Sequence, residues 1–254
     1  MIKITAILFL ATLSSCGIDM LNRIQGNNNV ISINRDINED FTKVRVSAGI
    51  ELIIDQGSEV SPTVEADENL HDIIITEVED GKLKIYTEKN IWKSASKKVY
   101  LTVNTLEELK ASSGSNVITS TILKATDLNV VSSSGASLTL ELTAVNLTSS
   151  TSSGASANID VNANSVVSSS SSGSSMKIKG ETTIHETSAS SGSSINAYNL
   201  LSKNVTAKVS SGASISVHAS KSIDGKASSG GGISFEGNPE KITRKTSSGG
   251  SISN

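Results

Sequence analysis

The chain has 254 residues, a formal net charge of −3, only 3% aromatic residues and 2 prolines. So few aromatic rings exclude a conventional globular core, and the near-balanced charge excludes both a basic nucleic-acid surface and a solvating acidic tail. Three scattered histidines and one cysteine exclude a zinc cluster and a disulfide framework, and no cofactor is expected.

The single cysteine follows an N-terminal segment with three recognisable parts. Met1 and Lys3 make a short basic start, Ile4 to Leu13 form an apolar run, and Leu13-Ser14-Ser15-Cys16 follows. The run is too short to span a bilayer but suits the h-region of a signal peptide. Leu-Ser-Ser-Cys resembles the bacterial lipobox, which implies removal of residues 1–15 and lipidation of Cys16. The partner expected at this end is a membrane, held through acyl chains on Cys16 while the body stays outside the bilayer. Gly17-Ile18 after the cysteine, in place of an aspartate, favours the outer membrane by analogy, on its periplasmic or surface face. Residues 16–35 are polar and rich in Asn, and read as a tether.

From Phe41 the pattern changes to alternation: Val44 and Val46, Leu52 and Ile54, Val64 and Ala66, Ile73 and Ile75, Leu83 and Ile85, then Val99, Leu101 and Val103. These are short strands, and Glu79-Asp80-Gly81-Lys82 reads as a hairpin turn between two of them. Only residues 65–71 and 105–109 have even a turn of helical character.

Over residues 106–254 the tetrad Ser-Ser-Gly-x recurs, with glycines at 114, 135, 154, 173, 192, 212, 230 and 249. A period of about 19 residues is too short for two helices and contains no heptad, so it leaves one coil of a parallel β-helix per repeat. The fold expected is therefore all-β, a β-solenoid with an irregular strand-rich N-terminal part. Counted from each glycine, odd positions are apolar: Leu128, Leu147, Val166, Val205, Ile223 and Ile242 stand seven before, and Val117, Leu138, Ala157, Met176, Ile195, Ile215, Ile233 and Ile252 three after. They are expected to face the core. His185 also falls on an odd position, but a one-residue shift that would place Ile184 inside is expected there. By the same parity Ser113, Ser134, Ser153, Ser172, Ser191, Ser211, Ser229 and Ser248 form an inner hydroxyl ladder. The even serines, among them Ser133, Ser137, Ser152, Ser156, Ser171, Ser175, Ser190 and Ser194, form an outward strip that is the candidate binding surface.

Residues 41–52, then Val64-Glu65-Ala66-Asp67-Glu68-Asn69-Leu70 and Glu79-Asp80-Gly81-Lys82-Leu83-Lys84-Ile85, followed by the Ser-Ser-Gly repeats, resemble the putative auto-transporter adhesin, head GIN domain family. The resemblance covers roughly residues 36–254. It implies a β-helical, secreted or lipid-anchored protein of Bacteroidetes-type bacteria, with adhesion suggested by the family's name. It carries no catalytic motif, so no active-site residue is transferred.

Three function classes follow. The first is a lipid-anchored adhesin-like or structural module of the cell envelope, not an enzyme, with a glycan or a surface protein as ligand. The second is a binder of a regular lattice, ice or polysaccharide, through the Ser-Gly-Ser strip. The third is a carbohydrate-active β-helix enzyme, for which Glu141 and Asp160, one coil apart, are the best carboxylate pair. The uncovered last coil, Ser247 to Asn254, suggests a homodimer through the C-terminal solenoid edge.

Overall fold

The structure is a computed structural model that describes residues 23–58 and 60–254. The expected signal peptide, residues 1–15, and the expected lipidation site, Cys16, lie outside the described residues. The body is a parallel β-solenoid whose coils stack in register. Its regular part contains β10 (Glu108–Ala111), β11 (Asn116–Thr119), β12 (Leu123–Ser132), β13 (Ser137–Thr151), β14 (Ser156–Ser170), β15 (Ser175–Ala189), β16 (Ser194–Val209), β17 (Ser214–Ala227), β18 (Gly232–Glu236), β19 (Lys241–Thr246) and β20 (Ser251–Ser253). Every ladder among these strands is parallel, and Ser137, Ser156, Ser175, Ser194 and Ser214 are successive register partners.

The N-terminal strands close one end by a route that is not sequential. β3 (Lys43–Val46) and β4 (Glu51–Gln56) form a coil lying between β7 (Lys82–Thr87) and β9 (Lys97–Val103) on one side and β10 and β11 on the other. The chain therefore leaves this coil, builds the cap, and returns to its far side. In the cap, β5 (Pro62–Asp67) runs antiparallel to β9, and β6 (Ile74–Glu79) pairs with β7 through the expected turn. That turn has positive φ at both Asp80 and Gly81. The only helical turn in the two stretches expected to have one is Glu68–Leu70; residues 105–109 lead straight into β10.

The expected tether is shorter than its composition suggests. β1 (Arg23–Gln25) pairs with β8 (Asn90–Lys93), and β2 (Val30–Asn34) adds an antiparallel strand to β5. Little of this segment is buried, so main-chain pairing and one carboxylate hold it. Asp67, fully buried, accepts the backbone N–H groups of Asn28, Ala95 and Ser96 at 3.0, 2.9 and 3.1 Å. Burial raises this carboxyl, but the amides of Ser96, Asn28 and Ala95 outweigh it and hold the group below the usual carboxylate range. Gly26 permits the approach, because a Cβ there would lie 1.8 Å from the Asp67 Oδ2.

Within the coils, the columns three and five after the glycine and seven before it are buried as far as Phe235, including Leu138, Leu140, Leu147, Val166, Met176 and Ile215, but in the last coil Ile242 is 45% exposed and Ile252 only half-buried, because among the described residues no further coil packs over them. The alternation breaks twice per coil, at the Ser-Ser-Gly corner and at an outward pair exemplified by Asn164-Ser165 and Thr183-Ile184. This second break corrects the reading of His185. There is no shift: His185 is register partner of Val166 and Val205 and fully buried, while Ile184 is 40% exposed.

The imidazole inside the core is neutral for a physical reason. Ser168 Oγ donates to Thr187 Oγ1 at 2.9 Å, so His185 Nε2–H donates to Ser168 at 3.0 Å, and Nδ1 is left without a partner. Burial pushes its pKa down to about 4. The unfolded chain binds this proton below about 6.5, so the native state loses stability as pH falls from there towards 4. Urea unfolding at pH 7 and pH 4.5 should show the wild type losing up to about 3 kcal/mol more than His185→Val, which carries the residue of the neighbouring coils. Equal losses in the two proteins would contradict the buried neutral imidazole.

Candidate functional site

The surface most characteristic of this sequence is the Ser-Ser-Gly corner and the faces on either side of it. At each corner the second serine and the glycine both take left-handed backbone, with φ of 53° and 70° at Ser113 and Gly114, and 54° and 67° at Ser172 and Gly173. The following N–H closes the turn onto the first serine's carbonyl, as Ser174 N–H does to Ser171 O at 3.2 Å. Ala48-Gly49 is a corner of the same kind, φ 62° and 65°, in the coil of β3 and β4. Its sequence, Ser47-Ala48-Gly49-Ile50, departs from the tetrad at one position, and the glycine with a preceding small residue was the signal that could have found it.

This geometry overturns the inner ladder. Ser113, Ser134, Ser153, Ser172, Ser191, Ser211, Ser229 and Ser248 are all exposed and all have positive φ, from 47° to 54°. Strand parity holds only while the backbone is extended; two successive left-handed residues make a turn and carry the side chain outward. The buried small residues are instead those three before and one after the glycine, such as Thr151, Ser170, Ala189, Ala155, Ser174 and Ser193.

Hydroxyl pairing inside the coil does occur, on these other residues. Thr151 Oγ1 and Ser170 Oγ lie 2.9 Å apart, and Ser174 Oγ lies 2.8 Å from Ser170 Oγ and donates to Ser171 O at 2.7 Å. Ser193 Oγ repeats the last contact on Ser190 O at 2.7 Å. A hydroxyl one residue after the glycine thus ties the corner to the layer beneath it.

The outward strip is present but divided. Ser133, Ser152, Ser171 and Ser190 are half-buried on the approach to the corner. On the departing side Ser137 and Ser156 are half-buried and Ser175 and Ser194 exposed. The exposed corner serines stand between the two rows as a ridge, so the rows do not make one flat array. Each side carries a shallow groove. One, of about 580 Å³, runs over Ser171, Ser190, Ser210, Ser228 and Ser247; the other, of about 370 Å³, contains Glu141, Asp160, Lys177 and Lys179.

In the second groove Glu141, Asp160 and Lys179 are successive register partners, and Lys179 Nζ pairs with Asp160 at 2.7 Å. The Asp160 side chain raises the Lys179 ammonium above its ordinary value. The best carboxylate pair in the sequence is therefore part of a charge ladder on the outer face, with Asp160 held by Lys179. Among the described residues no group of three His, Cys, Asp or Glu side chains stands close enough to hold a metal.

The family model for the putative auto-transporter adhesin, head GIN domain, matches residues 40–239. The chain belongs to this family. No curated protein matches it. Among solved structures it is similar to a putative lipid binding protein from Parabacteroides distasonis, at 21% identity and TM-score 0.85 over 91% of this chain and 99% of the other. A putative adhesin from Parabacteroides merdae matches at 18% identity and TM-score 0.82, covering 92% and 99%. One from Bacteroides fragilis matches at 18% identity and TM-score 0.68, covering 91% and 99%. At these identities the likeness to the three structures is one of fold.

The corrected corner has a direct consequence for mutation. Ser174→Val overfills the buried layer and strips its hydroxyls of a partner, and is expected to cost about 2 to 4 kcal/mol. Ser172→Ala, at the exposed corner, should stay within about 0.5 kcal/mol of wild type. Urea midpoints of the two variants measure this, and a larger loss for Ser172→Ala would restore the inner ladder.

Proposed function

We propose that the protein is a non-enzymatic surface module of the cell envelope, lipid-anchored through Cys16 to the outer membrane and presenting the solenoid as an adhesive or structural rod. The observation that carries this reading is the repetition itself. Coil after coil repeats the same corner and the same columns, which builds a long uniform surface in place of a single enclosed pocket. Membership of an adhesin-named family supports it, as does a carboxylate pair tied up in a charge ladder. A glycan or a surface protein is the ligand class such a rod would meet.

The lattice reading is weaker, because the serine rows are split by the corner ridge. Tail-to-tail pairing is opposed by charge. Among the described residues no strand pairs with the outer edge of β19, and this strand carries Lys241, Arg244 and Lys245, a device that discourages strand addition between copies.

Cys16→Ala should move the protein from the membrane fraction to the soluble fraction, since acyl chains are the proposed attachment. Among the described residues no helix is long and apolar enough to cross a membrane. Sedimentation with membranes after a salt wash in the variant would contradict the lipid anchor. Beads coated with the protein should attach to cells or matrix and show no hydrolysis of a glycan panel; the reverse result would contradict the adhesive reading.

A further inference from the structure

Four residues before the corner glycine, three consecutive coils carry a lysine. Lys208, Lys226 and Lys245 are register partners, so their side chains leave the sheet at the coil spacing of about 4.8 Å. All three are exposed. None takes part in any of the ion pairs found among the described residues. Lys110, in the same column near the cap, differs: its Nζ is held by Glu108 at 2.7 Å.

Stacking like charges on neighbouring strands is unfavourable, and the fold does not require it here. In the three coils before Lys208 the same column is Ser150, Ser169 and Ser188. The lysines therefore stand where serine suffices for structure.

They also line the 580 Å³ groove, whose other wall is the row of serines just before the corner. The surrounding chain reinforces the field. Residues 203–254 contain seven basic and three acidic side chains, although the whole chain carries −3. The groove runs along the solenoid axis, so it fits a linear ligand, and its charge calls for an anionic one. Its lining holds hydroxyls and no aromatic ring, so it offers hydrogen bonds to sugar hydroxyls and no platform on which nucleobases would stack.

We propose that this groove binds a linear acidic polysaccharide, with anionic groups on Lys208, Lys226 and Lys245 and sugar hydroxyls against the serine rows. This rests on the surface-module reading above and names the ligand class for it.

The test uses the protein immobilised and probed with polygalacturonate, dextran sulfate, unmodified dextran and duplex DNA. The two acidic polysaccharides should bind, dextran should not, and added salt should weaken binding. Joint replacement of Lys208, Lys226 and Lys245 by Gln should weaken polygalacturonate binding about tenfold or more, at three exposed charge contacts. A control with Lys177, Lys203 and Lys221 replaced by Gln has the same net charge and should lose less than about twofold. Urea midpoints confirm that both variants fold. Failure of the wild type to bind polygalacturonate, equal losses in the two triple variants, or DNA binding as tight as that of the polysaccharides would each overturn the proposal. Protein-coated beads that attach to cells while ignoring polygalacturonate contradict the groove alone. Polygalacturonate binding without any attachment contradicts the adhesive reading alone.

Discussion

A single column of hydrogen-bonded corner peptides organises the solenoid. The peptide joining each corner serine to its glycine accepts from the preceding coil and donates to the next. Gly49 N–H meets Ser113 O at 2.9 Å, Gly114 meets Ser134 O at 3.0 Å, and the series continues to Gly230 and Ser248 O at 3.2 Å. Amides along a strand point alternately to either neighbour and their dipoles largely cancel, whereas these corner peptides all point the same way. The column has a carbonyl end at Ala48 and an N–H end at Gly249. Lys97 sits at the carbonyl end, its Nζ donating to Ala48 O at 2.7 Å, the favourable place for a cation on a row of aligned dipoles. The other end lies at the same end of the molecule as the basic groove.

Several features of the sequence follow from this column. A peptide can lie across the corner in this direction only with left-handed backbone on both sides of it, which costs a serine about 1 to 2 kcal/mol but a glycine almost nothing. The inter-coil bond and the turn bond offset that strain. The same turn points the second serine into solvent and makes the ridge that separates the two grooves. Beneath the corners from Gly114 onward most of the buried side chains are small, Thr151, Ser170, Ala189 and Ser174 among them, while Val46 and Ile50 fill the same places at the Ala48-Gly49 corner and Val209 at Gly212. Phe235 is the one aromatic residue among the largest fully buried side chains, and it lies in the penultimate coil.

Much of the architecture was legible in the residues. Glycine spacing set the coil length, odd-position aliphatics such as Leu147 and Ile215 set the inward face, and Asp80-Gly81 set the hairpin. What escaped depended on backbone conformation or distant contacts. Parity assigned Ser153 and Ser172 to the interior because it carries no knowledge of a left-handed residue, and it missed that Ile184 belongs to a second corner, which leaves His185 in the core. The docking of residues 23–34 rests on Asp67 and on the edge of β5, with partners 29 to 37 residues apart along the ladder, so local composition read the segment as a tether. The lysine groove was hidden for the same reason: Lys208, Lys226 and Lys245 lie about nineteen residues apart in sequence and become a patch only when coils stack.

The central claim is that the corner glycines are required for their backbone angle and not for space. Gly173 separates the two, since its φ is +67° and a Cβ built on it meets nothing within 4 Å. Urea unfolding of Gly173→Ala and Gly173→Asn is the most direct measurement. The account predicts that alanine loses about 1 kcal/mol and that asparagine, which tolerates left-handed backbone, loses clearly less. An alanine variant as stable as wild type or more so, the usual result where φ is negative, would contradict it.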